Sequence, residues 1–150
     1  MAVDFVLKKS PSFRVAVVRW TGPYSEPRIQ KRFEALEKWA RARGLRTGHW
    51  IFREPGDRTW EVSIEVRGRA HSEGAVKVRT FPAATVASVR YDPNLVEPRV
   101  IYHGLSDWLR WRKKDHAIRS VVSYREVYEG NPWRDQRAWS RAEVQFVVRK

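Results

Sequence analysis

Phe13-Arg-Val-Ala-Val-Val-Arg-Trp20 returns 71 residues later as Ala84-Thr-Val-Ala-Ser-Val-Arg-Tyr91. At the same offset, Glu26-Pro27-Arg28 returns as Glu97-Pro98-Arg99. Two copies at so long a period do not make a solenoid, because solenoids stack several short repeats. The recurrence therefore predicts two related modules around a pseudo-twofold axis.

Each copy contains one amphipathic helix. The first helix is predicted between Pro27 and Arg43, and the second between Pro98 and Lys114, because apolar residues recur at helical spacing in both stretches. The residues at this spacing are Ile29, Phe33, Leu36 and Ala40 in the first copy, and Ile101, Leu105, Trp108 and Arg112 in the second. At a shift of 72 residues, Trp39 corresponds to Trp111.

Alternation of apolar and polar residues predicts short, half-buried strands. They lie at Val3–Leu7, Phe13–Trp20, Trp60–Val66, Thr85–Tyr91 and Val144–Val148. The predicted fold is α+β, a pseudo-twofold repeat of strand-helix-strand-strand modules that form an antiparallel sheet with two helices on one face. Repeat one spans about 13–66 and repeat two about 84–148, joined by a turn at Gly68–Gly74, and the whole chain, 1–150, is expected to be one domain.

Composition narrows the classes of function. The 150 residues include no cysteine, no apolar run long enough to span a bilayer and no signal-peptide pattern, so a cytoplasmic protein without a membrane partner is expected. Four separated histidines without ligand spacing predict no metal, and no cofactor motif is present. The net charge of +13 leaves nucleic-acid binding through the basic surface as an alternative, not the favoured one, because the arginines are scattered. Composition leaves the oligomeric state open.

The segment Tyr124-Arg-Glu126-Val-Tyr128 indicates a binding site. In a strand, Tyr124, Glu126 and Tyr128 share one side, where two phenols supply the hydrogen-bond donors that a buried carboxylate needs. The alternative is that Glu126 pairs with an arginine on an exposed sheet surface.

Aromatic residues complete the predicted site. Trp39 and Trp111, at equivalent places in the two helices, are either core residues or two walls around a flat guest, and aromatic walls with a carboxylate suit a delocalised cation. Trp108, on the same helix as Trp111, and Tyr24, in the turn after the second strand, are included in the predicted ligand-binding set.

A family resemblance rests on the order of several short motifs. These are the turn Thr21-Gly-Pro-Tyr24, the helical Leu36-Glu-Lys-Trp39-Ala40, and the strand Glu126-Val-Tyr128 running into Asn131-Pro132. With the repeat, they make the chain resemble the GyrI-like small-molecule-binding domain, also found as the effector-binding domain of multidrug-responsive regulators of the MerR and AraC types. The resemblance covers almost the whole chain, but no helix-turn-helix segment accompanies it here.

The resemblance implies polyspecific binding of planar, hydrophobic and often cationic small molecules or drugs, in a groove between the repeats with Glu126 at its centre. Some stand-alone members are similar in hydrolysing the cyclopropane of DNA-alkylating natural products. If this chain does so, Glu126 is expected to orient or deprotonate water, and Tyr24 or Tyr128 to polarise the conjugated carbonyl. Binding, hydrolysis and nucleic-acid binding stay open as alternatives at this point.

Overall fold

The computed structural model describes residues 3–150. It divides into two units: Ser12–Pro82, called the first-repeat unit, and Ala83–Lys150 with the N-terminal residues through Pro11, called the second-repeat unit. In chain order the elements are β1 (Phe5–Ser10), β2 (Phe13–Thr21), α1 (Glu26–Ala42), β3 (Arg46–Gly56), β4 (Thr59–Arg67), β5 (Lys77–Phe81), β6 (Ala84–Tyr91), α2 (Pro98–Arg112), β7 (Ser120–Tyr128), α3 (Gln136–Ser140) and β8 (Ala142–Arg149).

The two units have the same strand order. The first-repeat unit is an antiparallel sheet in the order β3-β4-β2-β5. The second-repeat unit is an antiparallel sheet in the order β7-β8-β6-β1. Each module therefore contributes strand, helix, strand and strand, and a fourth strand pairs with the first strand of each module. The predicted repeat and the α+β class are confirmed.

The fourth strands come from outside the two modules. β5 follows the first module and pairs with β2, whereas β1 precedes it and pairs with β6 of the second. The predicted strand Val3–Leu7 is displaced, because β1 runs from Phe5 to Ser10. Alternation does not locate β3, because its register with β4 shifts twice and the bulges interrupt the period-two pattern.

α1 forms where the sequence predicts it. The Ser25 side chain caps it by accepting from the Arg28 backbone N–H at 3.3 Å, and Gly44, just past its end, takes the positive φ of 69° that suits a helix C-terminus. Its predicted apolar face is the buried one: Ile29, Phe33, Leu36 and Ala40.

α2 differs from the prediction in its last turns. It buries Ile101, Leu105 and Leu109, while Arg112 turns back over the Trp108 ring at 4.3 Å. Gly104 allows α2 to lie close to β1, because a Cβ there would come within 3.0 Å of the Phe5 ring. The helix is thus held tightly against the sheet beneath it.

α3 is a short helix that begins at the end of the polar stretch 131–137. The Asp135 side chain caps it by accepting from the Arg137 backbone N–H at 3.0 Å, and Ala138 is its buried residue. In the described part of the chain, 3–150, no helix is long and apolar enough to cross a membrane.

Candidate functional site: a buried carboxylate beside an aromatic groove

β7 places Glu126 on the face of its sheet that meets α2. Tyr124, Glu126 and Tyr128 alternate with the residues of the other face, as the sequence predicts. On the neighbouring strand β8, Val144 lies opposite Glu126 and Phe146 opposite Tyr124. The Tyr124 and Phe146 rings meet edge-on with centroids 4.7 Å apart. Glu126 therefore projects among apolar and aromatic neighbours.

Two phenols hold the carboxylate. The Tyr102 hydroxyl, from α2, donates to Oε1 of Glu126 at 2.9 Å. The Tyr128 hydroxyl, from β7 itself, donates to Oε2 at 3.1 Å. The carboxylate is thus fixed from both the helix and the sheet. Tyr124, expected beside Tyr128 as the second donor, instead lines the groove described below.

Burial dominates the electrostatics of this cluster. It raises the pKa of Glu126 above its usual range, against the opposite effect of the two phenol hydrogen bonds. Glu126 as a whole residue is half-buried and keeps part of its surface accessible to solvent. Its carboxylate is nevertheless surrounded densely enough for burial to be the largest influence on its pKa. Burial also raises the pKa values of Tyr102 and Tyr128, and the nearby Glu126 charge raises them further.

Glu126 has no ion pair among residues 3–150. This contradicts the alternative in which Glu126 pairs with a surface arginine. The chain contains 30 lysines and arginines, so the missing ion pair is not explained by a shortage of basic residues. A dehydrated carboxylate that lacks one favours a cation from outside the chain.

An open groove of about 420 Å³ lies next to this cluster. Its lining residues are Arg99, Tyr102, His103, Ser106, Tyr124 and Phe146. Tyr102 belongs to both features, because its ring lines the groove and its hydroxyl contacts Glu126. All six residues belong to the second-repeat unit. A binding groove between the two repeats stays a prediction.

Further aromatic residues support the site. Tyr128 stacks on Trp139 of α3 with centroids 6.5 Å apart and an interplanar angle of 4°, and the Trp139 indole donates to Asn94 Oδ1 at 3.0 Å. Tyr91 is buried, and its pKa is raised mainly by this burial and further by the nearby Glu126 charge. The sequence reasoning missed Tyr91, Tyr102 and Trp139. One signal could have found the tyrosines: four of the five in the chain lie in the second repeat.

The sequence matches the GyrI-like small-molecule-binding domain over residues 4–144. The chain belongs to the GyrI-like family. A search of the curated proteins found no match.

Solved structures share this GyrI-like fold. The C-terminal domain of EcmrR aligns with a TM-score of 0.72 at 20% identity, over 100% of this chain and 99% of that one. EcmrR in its DNA complex aligns with a TM-score of 0.78 at 22% identity, over 99% of this chain and 58% of that one, so this chain spans little more than half of its length. SAV2435 bound to tetraphenylphosphonium aligns with a TM-score of 0.53 at 11% identity, over 97% of this chain and 94% of that one. A hydrolase from Listeria innocua aligns with a TM-score of 0.62 at 11% identity, over 97% of this chain and 91% of that one.

Two of the tryptophans predicted for this GyrI-like site lie on α2, away from the carboxylate cluster. Trp108 packs against Phe5 with centroids 6.1 Å apart and is covered by Arg112. Trp111 is 79% exposed. Neither lines the groove.

Tyr24 and Trp39 belong to the first-repeat unit. Tyr24 is 61% exposed and meets Trp60 edge-on with centroids 5.5 Å apart. Trp39 is covered by the Arg43 guanidinium at 4.3 Å, and Arg43 is in turn held by Glu73 at 2.6 Å. The predicted role of Tyr24 in catalysis stays a prediction, as does the predicted role of Trp39 in ligand binding.

The first repeat of this GyrI-like chain has no counterpart of Glu126. Strand register makes Phe52 the equivalent residue, because Phe52 pairs with Val62 as Glu126 pairs with Val144. Phe52 stacks on Trp60 with centroids 6.1 Å apart. The carboxylate site is therefore confined to the second repeat.

Two other buried glutamates have a different role. Both oxygens of Glu61 are paired, with Arg19 at 2.8 Å and Arg53 at 2.6 Å. Glu143 is bonded by Lys8, Ser88, Arg90 and Gln145. Burial alone would raise its pKa, but the hydrogen bonds from Gln145, Lys8 and Ser88 outweigh burial and lower the pKa to about 2. Such pairing is typical of structural carboxylates. Among the described residues, no three acidic or histidine side chains form a group that could hold a metal ion.

Proposed function

We propose that this GyrI-like chain binds aromatic, hydrophobic cations in the groove beside Glu126. The observation that carries the proposal is a dehydrated carboxylate that is bonded by two phenols and has no ion pair among residues 3–150. Aromatic faces at Tyr102, Tyr124 and Phe146 add stacking and cation–π attraction for a flat or bulky aromatic ligand. The tetraphenylphosphonium complex of SAV2435, which shares the fold, supports this ligand class.

Stacking and charge, rather than close shape complementarity, are expected to determine the affinity for ligands. The groove is open and has about the volume of a drug-sized ligand site. Stacking and a single charge interaction tolerate many scaffolds, so we expect polyspecific binding. Such a chain would report or sequester aromatic compounds.

The test replaces Glu126 with glutamine and compares two ligands. Glu126→Gln is expected to weaken binding of a rhodamine-type cation by about 1–3 kcal/mol, roughly 5- to 150-fold, while a neutral planar analogue loses little. Fluorescence titration gives both dissociation constants. The matched control is Glu54→Gln, an exposed glutamate of β3 in the other unit. Equal losses for the cation and the neutral ligand would show that Glu126 supports the fold rather than the charge of the ligand.

Hydrolysis is a second candidate, favoured by the raised pKa of Glu126 beside phenol donors. A carboxylate of raised basicity can accept a proton from water as that water attacks a cyclopropane carbon. The ring C–C bond then breaks, its electron pair moves into the conjugated carbonyl, and a tyrosine hydroxyl stabilises the oxygen that gains charge. Tyr128 and the predicted Tyr24 are the candidate donors.

Turnover is measured directly by mass spectrometry of ring-opened product from a cyclopropane alkylator. If the chain is a hydrolase, Glu126→Gln lowers the rate by about 100- to 10,000-fold, and Tyr24→Phe or Tyr128→Phe identifies the donor. Product that forms no faster with the wild type than in buffer, despite binding, leaves a binding protein.

A further inference from the structure

The two walls of the groove differ in chemistry. The α2 wall presents Arg99, Tyr102, His103 and Ser106, which follow the pattern i, i+3, i+4, i+7 and therefore share one face of the helix. Each of them carries a hydrogen-bond donor. The opposite wall is formed by the aromatic rings of Tyr124 and Phe146. The Tyr102 hydroxyl already donates to Glu126, so a bare hydrophobic cation on the aromatic wall leaves the donors of Arg99, His103 and Ser106 unused.

Arg99 is the charged member of the donor wall. Within residues 3–150 it forms no ion pair, and neither does His103. Arg99 also lies in the first turn of α2, where the helix dipole disfavours a cation. Helix stability therefore does not account for a guanidinium at this position.

Arg99 lines the groove, and Glu126 lies next to it, joined to the groove lining through Tyr102. Arg99 is three residues before Tyr102 on α2, and the Tyr102 hydroxyl contacts the Glu126 carboxylate at 2.9 Å. A single aromatic ligand that lies along Tyr124 and Phe146 can thus meet a negative group through Tyr102 and a positive group at the rim. The groove volume of about 420 Å³ accommodates a ligand of that size.

We propose that the groove selects aromatic cations that also carry an anionic acceptor such as a carboxylate, and that Arg99 determines this preference. The proposal rests on the proposed function, because it adds a second recognition element to the same site. The cationic part of the ligand packs on the aromatic wall, where the Glu126 charge behind Tyr102 attracts it, and its carboxylate accepts hydrogen bonds from the Arg99 guanidinium, with His103 as a neighbouring donor. The favoured ligand is a zwitterionic aromatic compound.

Rhodamine B and its ethyl ester test the idea, because they share one aromatic cation and differ in a free carboxylate. Wild type is expected to bind rhodamine B about three- to tenfold more tightly than the ester, a modest factor because Arg99 is exposed. Arg99→Met removes the preference, and Arg99→Glu reverses it in favour of the ester. Arg28→Met, the equivalent position in the first repeat, leaves the preference intact.

The outcomes separate the two proposals. Equal binding of both dyes by wild type overturns the role of Arg99 and leaves aromatic-cation binding standing. Loss of affinity for both dyes to the same extent in Arg99→Met also overturns it, because a merely structural residue would act in that way. Binding of neither dye by wild type contradicts the proposed function itself. Circular dichroism of each variant confirms that the fold is retained, and Arg99→Lys, which keeps the charge, is expected to retain part of the preference.

Discussion

Three glutamates of this molecule differ in what surrounds their carboxylates. Glu61 and Glu143 are neutralised by cations of the chain, and their pKa values are lowered. In the described part of the chain Glu126 is held by two neutral phenols and by no cation, and burial raises its pKa. The difference separates two carboxylates that stabilise the fold from one that costs stability when ionised and is suited to binding a foreign cation.

The raised pKa gives Glu126 a definite pH signature. A carboxyl that is less acidic in the folded chain than in the unfolded one destabilises the fold as pH rises from about 4.5 through the folded pKa, where it ionises. Glu126→Gln is therefore expected to be about 1–3 kcal/mol more stable than wild type at neutral pH, and the difference should disappear toward about pH 4. Urea unfolding at a series of pH values measures it.

Glu61 and Glu143, whose pKa values are lowered, change the free energy of unfolding in the opposite direction, because their contribution to stability is lost as pH falls. This change is common to wild type and Glu126→Gln, so it cancels in their difference. Glu54→Gln, at an exposed position, is the control and should show no such pH-dependent gain. A Glu126→Gln variant that is less stable than wild type at neutral pH would mean that the carboxylate is a structural group.

Sequence alternation predicts neighbours along a strand better than neighbours through space. It places Glu126 and Tyr128 on one face because both belong to β7. It does not identify Tyr102, because that contact depends on how α2 lies on the sheet. The sequence predicts Trp111 as a core residue or a wall, by analogy with Trp39. The buried residues of α2 end with Leu109 and leave the Trp111 side chain exposed, so it is not a core residue, and its role as a wall stays a prediction.

At the scale of elements, the fourth strand of each unit is what the repeat alone does not predict. The equivalence of β2 and α1 with β6 and α2 is visible in the sequence at shifts of 71 and 72. The pairing of β1 with β6 is non-local, and a short alternating strand does not encode its partner. β1 nevertheless supplies Phe5 to Trp108, Lys8 to Glu143 and Ser10 to Arg125.

Deleting residues 1–11 should therefore loosen the second-repeat unit selectively. Without β1, β6 becomes an unprotected edge, and we expect its amide hydrogens that bond to β1 to exchange at least about tenfold faster. β2 is the internal control, because β5 still covers it and both lie in the first-repeat unit. Hydrogen exchange read by mass spectrometry distinguishes the two strands. Equal acceleration in β2 and β6 would contradict independent edge protection by β1.

At the scale of the whole molecule, net charge and local site chemistry oppose each other. The chain carries +13, which repels a cationic ligand at long range, whereas Glu126 attracts it at contact. Salt screens interactions between exposed charges beyond about 8 Å at physiological ionic strength, but affects a buried contact much less. Composition alone therefore suggests anionic partners, whereas the proposed binding of cations rests on the local geometry around Glu126.

The two ranges of interaction can be separated by kinetics. When ionic strength rises from about 20 mM to about 300 mM, the association rate constant of a rhodamine ester cation is expected to increase about two- to fivefold, because the repulsive field is screened. Its dissociation rate constant should change little, and a neutral planar analogue should show neither effect. Stopped-flow fluorescence measures both constants. An association rate constant that falls as salt rises would mean that the electrostatic field around the groove is already negative. In a separate titration, a steep loss of oligonucleotide binding over the same salt range would favour the basic surface as a nucleic-acid site.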